Sequence, residues 1–167
     1  MPGSRCALPL LAALLLSGCS GAGSDPDPAP TTAPASSPTV GQRIDETVEA
    51  DLGGVPLVLE VADEPAERAV GLMGRAEVPP GTGMLFLFDE PVTSSFYMFQ
   101  VPVPLTAVFV REGTVVHVEQ MAPCEEPEPG DCPLYGPDEP FDAVVETAPA
   151  TLPDVGPGDR LRLGERS

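Results

Sequence analysis

The sequence predicts a mainly β domain, a compact antiparallel sandwich or partly open barrel, with one short helix near residues 64–73. Three observations carry that expectation. Short apolar runs alternate with turn signals along most of the chain, which is the pattern of strands half or wholly buried. The stretch Gly83 to Val110 concentrates Phe86, Phe88, Phe96, Phe99, Phe109 and Tyr97 in a chain that has no Trp, so it must supply the core. Finally, once the polar amino-terminal region is set aside, about 120 residues remain, enough for one hydrophobic core and too few for two.

Thr47 to Leu52 and Val55 to Ala62 flank Gly53-Gly54, a tight-turn pair between alternating runs, and so read as a hairpin. The segment Asp63 to Met73 then reads as the helix. Asp63 or Glu64 can cap it, Pro65 suits its first turn, and Gly71 or Gly74 can end it. Its face of Ala66, Ala69, Val70 and Met73 is expected to lie on the sheet.

Val78 to Gly83 is a loop by its Pro and Gly residues. Met84 to Phe88, Ser94 to Gln100 and Leu105 to Val110 follow as strands, the first and last apolar enough to be buried on both faces. Glu112-Gly113 turns the chain into a strand from Thr114 to Met121. An acidic, Pro-rich excursion from Ala122 to Pro140 comes next, and Ala143 to Thr147 and Arg160 to Leu163 read as the last strands.

Ahead of that domain the chain reads as an export leader and a tether. Residues 1–18 carry Arg5 and then the apolar run Ala7 to Leu16, too short to span a bilayer and ending in small residues. Leu15-Leu16-Ser17-Gly18-Cys19 resembles a bacterial lipobox, in which Cys19 is acylated and becomes the first mature residue. Each buried methylene of such an anchor contributes ~0.8 kcal/mol, so two or more chains hold firmly. Residues 19–43 are mostly Pro, Ala, Ser, Thr, Gly and Asp with one Val, unable to bury a core, and form a tether reaching between ~30 and ~75 Å. Residues 44–167 are left as the single domain. The expected location is the cell membrane, lipid-anchored, on the extracytoplasmic side.

The formal net charge is −18, and every basic residue apart from His117 is an Arg. Such a surface repels phosphate backbones and anionic lipid headgroups, which excludes nucleic acid as the expected partner. The partners expected are the membrane through its lipid anchor and either a small ligand or an envelope protein, with the domain itself a monomer.

The order of motifs is recognisable. Ala62-Asp63-Glu64-Pro65-Ala66-Glu67-Arg68, Gly71-Leu72-Met73-Gly74-Arg75 and Gly83-Met84-Leu85-Phe86-Leu87-Phe88 come first. Phe96-Tyr97-Met98, Pro104-Leu105, Met121-Ala122-Pro123-Cys124, Cys132-Pro133-Leu134-Tyr135 and Gly158-Asp159 follow. The series, from about Val55 to Leu163, resembles the bacterial and archaeal family called domain of unknown function 192, often exported and lipid-anchored. The resemblance implies a jelly-roll-like fold and brings no activity. Relatives usually continue the aromatic-aromatic-Met triplet with Lys-Asn-Thr and place Asp after Pro-Leu. Here Phe99-Gln100-Val101 and Thr106 stand instead.

Cys124 and Cys132 lie eight residues apart in an exported domain and are expected to pair, contributing roughly 2.5 kcal/mol by closing a small ring. Their spacing is neither a Cys-x-x-Cys redox motif nor a zinc pattern with His117. Glu125, Glu126, Glu128 and Asp131 lack the alternation of a calcium loop and read as a solvated acidic loop. Met73, Met84, Met98 and Met121 with His117 suggest Cu(I) ligation, although Met inside apolar runs ordinarily fills gaps in a core.

A shallow polar pocket of Arg75, Gln100, Thr106 and Tyr135 is the expected ligand site; the alternative for Arg75 is an internal pair with a carboxylate such as Asp89 or Asp159. There is no Gly-x-Ser-x-Gly, phosphate-cradling Gly-rich loop or His-Glu-x-x-His, so no catalytic residue, metal ligand or cofactor is assigned. The leading expectation is a non-enzymatic ligand- or protein-binding lipoprotein domain. An extracytoplasmic copper handler and a carboxylate-dependent hydrolase are the alternatives.

Overall fold

A computed structural model describes residues 41–167; the leader, Cys19 and nearly all of the tether lie outside them. The expected β sandwich with one short helix is the architecture found. Its seven strands are β1 (Thr47–Leu52), β2 (Val55–Ala62), β3 (Thr82–Val92), β4 (Leu105–Arg111), β5 (Thr114–Met121), β6 (Phe141–Thr147) and β7 (Leu161–Arg166). The helix α1 spans Pro65–Val70, and among the described residues no helix is long and apolar enough to cross a membrane.

The sheet runs β5-β4-β6-β3-β2-β1-β7. Gly53 and Gly54, both at positive φ (62° and 89°), make the tight turn that pairs β1 with β2 from Leu52↔Val55 outward. Five of the six neighbouring pairs are antiparallel, but β2 and β3 run parallel, because the chain between them crosses over through α1. Strand β6 comes late in the chain yet lies between β3 and β4, which do not pair with each other.

The edge strands β5 and β7 approach at one corner. There Val115 N–H donates to Asp159 O (2.8 Å) and Leu161 N–H to Gly113 O (3.0 Å), with an isolated bridge joining Thr114 and Arg160. The sheet therefore rolls over on itself without closing into a barrel.

Rolling creates two apolar layers. Inside the roll, Leu52, Leu59, Val61, Leu85, Val108 and Val145 form one buried cluster. On the opposite face of β3, β4 and β6, Met84, Phe86, Met98, Phe109, Phe141 and Val144 form a second, roofed by the segments after β3 and β5. Phe109 and Phe141 meet at 5.0 Å between centroids and Phe86 and Phe96 at 5.2 Å, both edge to face. The three central strands are thus covered on both sides, as their continuous apolar sequences require.

Two expectations are corrected. Ser94–Gln100 is not a strand. Only Phe96 pairs there, exchanging both backbone hydrogen bonds with Tyr135 (2.8 and 2.9 Å), and Phe99 bridges Cys124. The segment opposite is Tyr135 flanked by Pro133 and Pro137, which lack N–H donors, so the ladder cannot extend. Nor does the face of α1 seal the sheet. Ala66, Ala69 and Val70 are exposed and Met73 only half-buried. The helix has six residues and stops at Gly71 (φ 50°), where a Cβ would stand 3.2 Å from the Phe86 ring. Leu72, beyond the stop, makes the buried contact instead.

Cys124 and Cys132 form the expected disulfide, with Cα atoms 5.7 Å apart. The four acids of its ring are exposed to water.

Candidate functional site

Because α1 stands off the sheet, a cleft of about 250 Å³ opens between them. One wall is helical, with Arg68, Ala69 and Val70. The other is aromatic, with Phe86 and Phe88 from β3 and Phe96 and Tyr97 from the irregular segment after it. At its floor is Glu146 from β6.

Glu146 belongs to the roofed face by register, since its partners across the sheet are Met84 on β3 and Ala107 on β4, both fully buried and apolar. The strands come close here only because Gly83 has no side chain: a Cβ would fall 2.1 Å from the Glu146 carbonyl oxygen. The acid is 5% exposed and lines only the cleft among the cavities described. No ion pair or side-chain hydrogen bond engages its carboxyl among the described residues, and burial alone pushes its pKa up to about 8. At pH 7 the group is therefore mostly a neutral acid, able to donate one hydrogen bond and to ionise if a compensating charge arrives.

Arg68 lines the same cleft but is already engaged. Its Nη1 donates to Asp63 O and to Leu87 O (2.9 Å), and its guanidinium stacks 5.0 Å from the Phe88 ring centroid. It holds the helix to the rim of β3 and closes the outer end of the cleft.

The four residues expected to share a polar pocket are dispersed. Arg75 is bonded twice to Glu60 (Nη1 to Oε1 2.6 Å, Nη2 to Oε2 2.5 Å) and donates to Gln42 O at 2.7 Å. Its partner is thus Glu60, not Asp89 or Asp159; the Asp159 carboxylate accepts from Gly156 N–H instead. Burial raises the Glu60 pKa, but the Arg75 hydrogen bonds, the Ile44 N–H and the charges of Arg75 and Arg43 outweigh it and hold the carboxyl below its ordinary range.

Gln100 borders another depression, with Pro102 and Cys124, and reaches Arg75 only through Gly74, whose N–H donates to Gln100 O (2.7 Å). Thr106 is fully buried and its hydroxyl accepts from Gln120 (2.8 Å), while the Tyr135 hydroxyl accepts from Ala122 N–H (3.3 Å). Met84, Met98 and Met121 lie in the second cluster at 1% exposure or less. His117 sits on β5 opposite Phe109 of β4, with Nε2 3.4 Å from the Glu119 carboxylate.

Sequence reasoning missed Glu146. The signal was present in Ala143-Val144-Val145-Glu146-Thr147, an acid inside a run otherwise apolar enough to be covered on both faces.

The family model DUF192, described as Uncharacterized ACR, matches residues 47–163. Among solved structures, a proposed transcription regulator from Sinorhizobium meliloti 1021 is 28% identical, with a TM-score of 0.63 over 73% of this chain and 96% of that one. A protein of unknown function from Novosphingobium aromaticivorans DSM 12444 is 30% identical, with a TM-score of 0.54 over 79% of this chain and 94% of that one. No curated protein matches the chain.

Proposed function

The chain belongs to the DUF192 family, and from that premise we propose that it is a lipid-anchored extracytoplasmic binding protein whose β domain takes a small ligand in the cleft above Glu146. The observation that carries the reading is a buried carboxyl without a partner among the described residues, at the floor of an open, largely apolar cleft. Structural acids are normally paired, and leaving this one uncompensated lowers stability, so a ligand that engages it supplies the missing reason. A binding role fits better than hydrolysis, because the cleft lining contains no second carboxyl to divide acid and base duties. Gene regulation, the role proposed for the Sinorhizobium relative, sits badly with a net charge of −18, which repels DNA.

The anchoring half of the proposal is supported by the lipobox-like Leu15 to Cys19 and the Pro-rich run behind it. Expressed in a bacterial host, the wild-type protein should partition into the detergent phase of a Triton X-114 separation, and Cys19→Ser should move it to the aqueous phase. Retention of the variant in detergent would defeat the anchor.

For the binding half, the exposed Ala69 offers a plug. Some members of a small-molecule panel should raise the melting temperature of the wild type, and Ala69→Trp, which fills the cleft from the helix side, should abolish those shifts. Shifts that survive the plug would move the binding site elsewhere.

A further inference from the structure

The cleft also constrains what enters it. Its lining holds three groups able to carry or share charge: Glu146 at the floor, Arg68 on the helical wall and Tyr97 at the mouth. The β3 and β4 residues beside Glu146 are Met84 and Ala107, so no charge faces it from the sheet. Arg68 is committed to two backbone carbonyls and the Phe88 ring.

An anionic ligand would gain at most one hydrogen bond from the protonated acid, would hold that acid neutral, and would have to win the guanidinium from those partners. A neutral ligand would gain hydrogen bonds to the acid and to the hydroxyls of Ser94, Ser95 or Tyr97, but no charge pair. A cation gains most: a charge pair with the ionised carboxyl in a low-dielectric site and attraction toward a protein of formal charge −18, while the like charge of Arg68 is held against the Phe88 ring.

Resting on the reading of the cleft as a ligand site, we infer that its ligand is an organic ammonium ion, a single protonated amine on a compact apolar or aromatic stem. The nitrogen is met by the Glu146 carboxylate, and the stem lies between Ala69 and Val70 on one side and Phe86 and Phe96 on the other. A cavity of about 250 Å³ suits a stem of benzyl size rather than a long chain.

Entry of the ammonium ion is coupled to a proton. The neutral acid of the empty cleft loses its proton to solvent as the cation arrives, so the bound state is carboxylate plus ammonium and one proton appears in the buffer. Because Glu146 ionises near pH 8, affinity should fall about tenfold for each unit of acidification from pH 7 toward 5.

The test is calorimetric titration of the full-length protein in neutral detergent with benzylammonium, benzyl alcohol and phenylacetate, in two buffers of different ionisation enthalpy. Benzylammonium should bind at least about tenfold tighter than benzyl alcohol and release about one proton. Glu146→Gln, which keeps the shape of the neutral acid, should erase both the preference and the proton. Benzyl alcohol or phenylacetate binding as tightly as the amine, with binding lost in Ala69→Trp, would overturn the ammonium assignment and leave the cleft as a binding site. Failure of all three probes would also overturn it. The cleft reading would then stand if the wider panel still yields ligands blocked by Ala69→Trp, and fall with it if none appears.

Discussion

Glu146→Gln is expected to stabilise the domain by about 3 kcal/mol at pH 7, an unusual direction for a substitution inside a sheet. In the unfolded chain the carboxyl ionises near 4.5, whereas in the folded protein it holds its proton to about pH 8. Between those values the native state binds one more proton than the unfolded state, so stability falls as pH rises, by about a factor of ten in the folding equilibrium per unit. Gln carries no such penalty. The gap between variant and wild type should be near zero at pH 4.5, widen steadily to pH 8 and level off above it, as urea unfolding at four or five pH values would reveal. Parallel stability curves for the two proteins would mean that Glu146 is ionised or compensated in the native state.

Arg75→Ala is expected to lower stability by about 2–3 kcal/mol. The guanidinium holds both oxygens of Glu60 and a backbone carbonyl, and the two side chains are only 19% and 20% exposed, so its removal strands a charge that water reaches poorly. The loss should shrink on acidification. Glu60 is held below its ordinary range, so the pair's contribution is complete above about pH 4.5 and fades as pH falls through the native value. Adding Glu60→Gln should recover part of the loss, because the stranded charge disappears. An Arg75→Ala variant as stable as wild type would free the guanidinium for a ligand of its own.

These two residues mark what local sequence can and cannot convey. The hairpins at Gly53-Gly54 and Glu112-Gly113 were legible because their turns demand positive φ, which glycine adopts freely and which even Glu112 takes here at 50°. The double covering of the central strands was legible from their unbroken apolar runs. The Cys124–Cys132 bridge followed from compartment and proximity.

The partner of Arg75 was not legible, because Glu60 becomes its neighbour only when β2 is laid beside the segment at Gln42. The parallel pairing of β2 with β3 leaves no local mark either, since both strands read alike in either direction. The helix misled for a physical reason: its apolar spacing continues through Met73, but the backbone turns out of the helix at Gly71. That early stop leaves Ala69 and Val70 facing an unfilled space, and so creates the cleft that periodicity alone would have closed.

The place of β6 has a consequence for how the chain assembles. Strands β3 and β4 leave a slot that Phe141–Thr147 must fill, and the pairing Gly83↔Thr147 spans about half of the domain's sequence. A chain emerging from its amino end first can therefore make two separate sub-sheets, β1-β2-β3 and β4-β5, each with a raw edge awaiting a strand not yet delivered. Completion is the insertion of a wedge between them, a slow, long-range closure that joins both halves at once and so makes the domain cooperative across its full width.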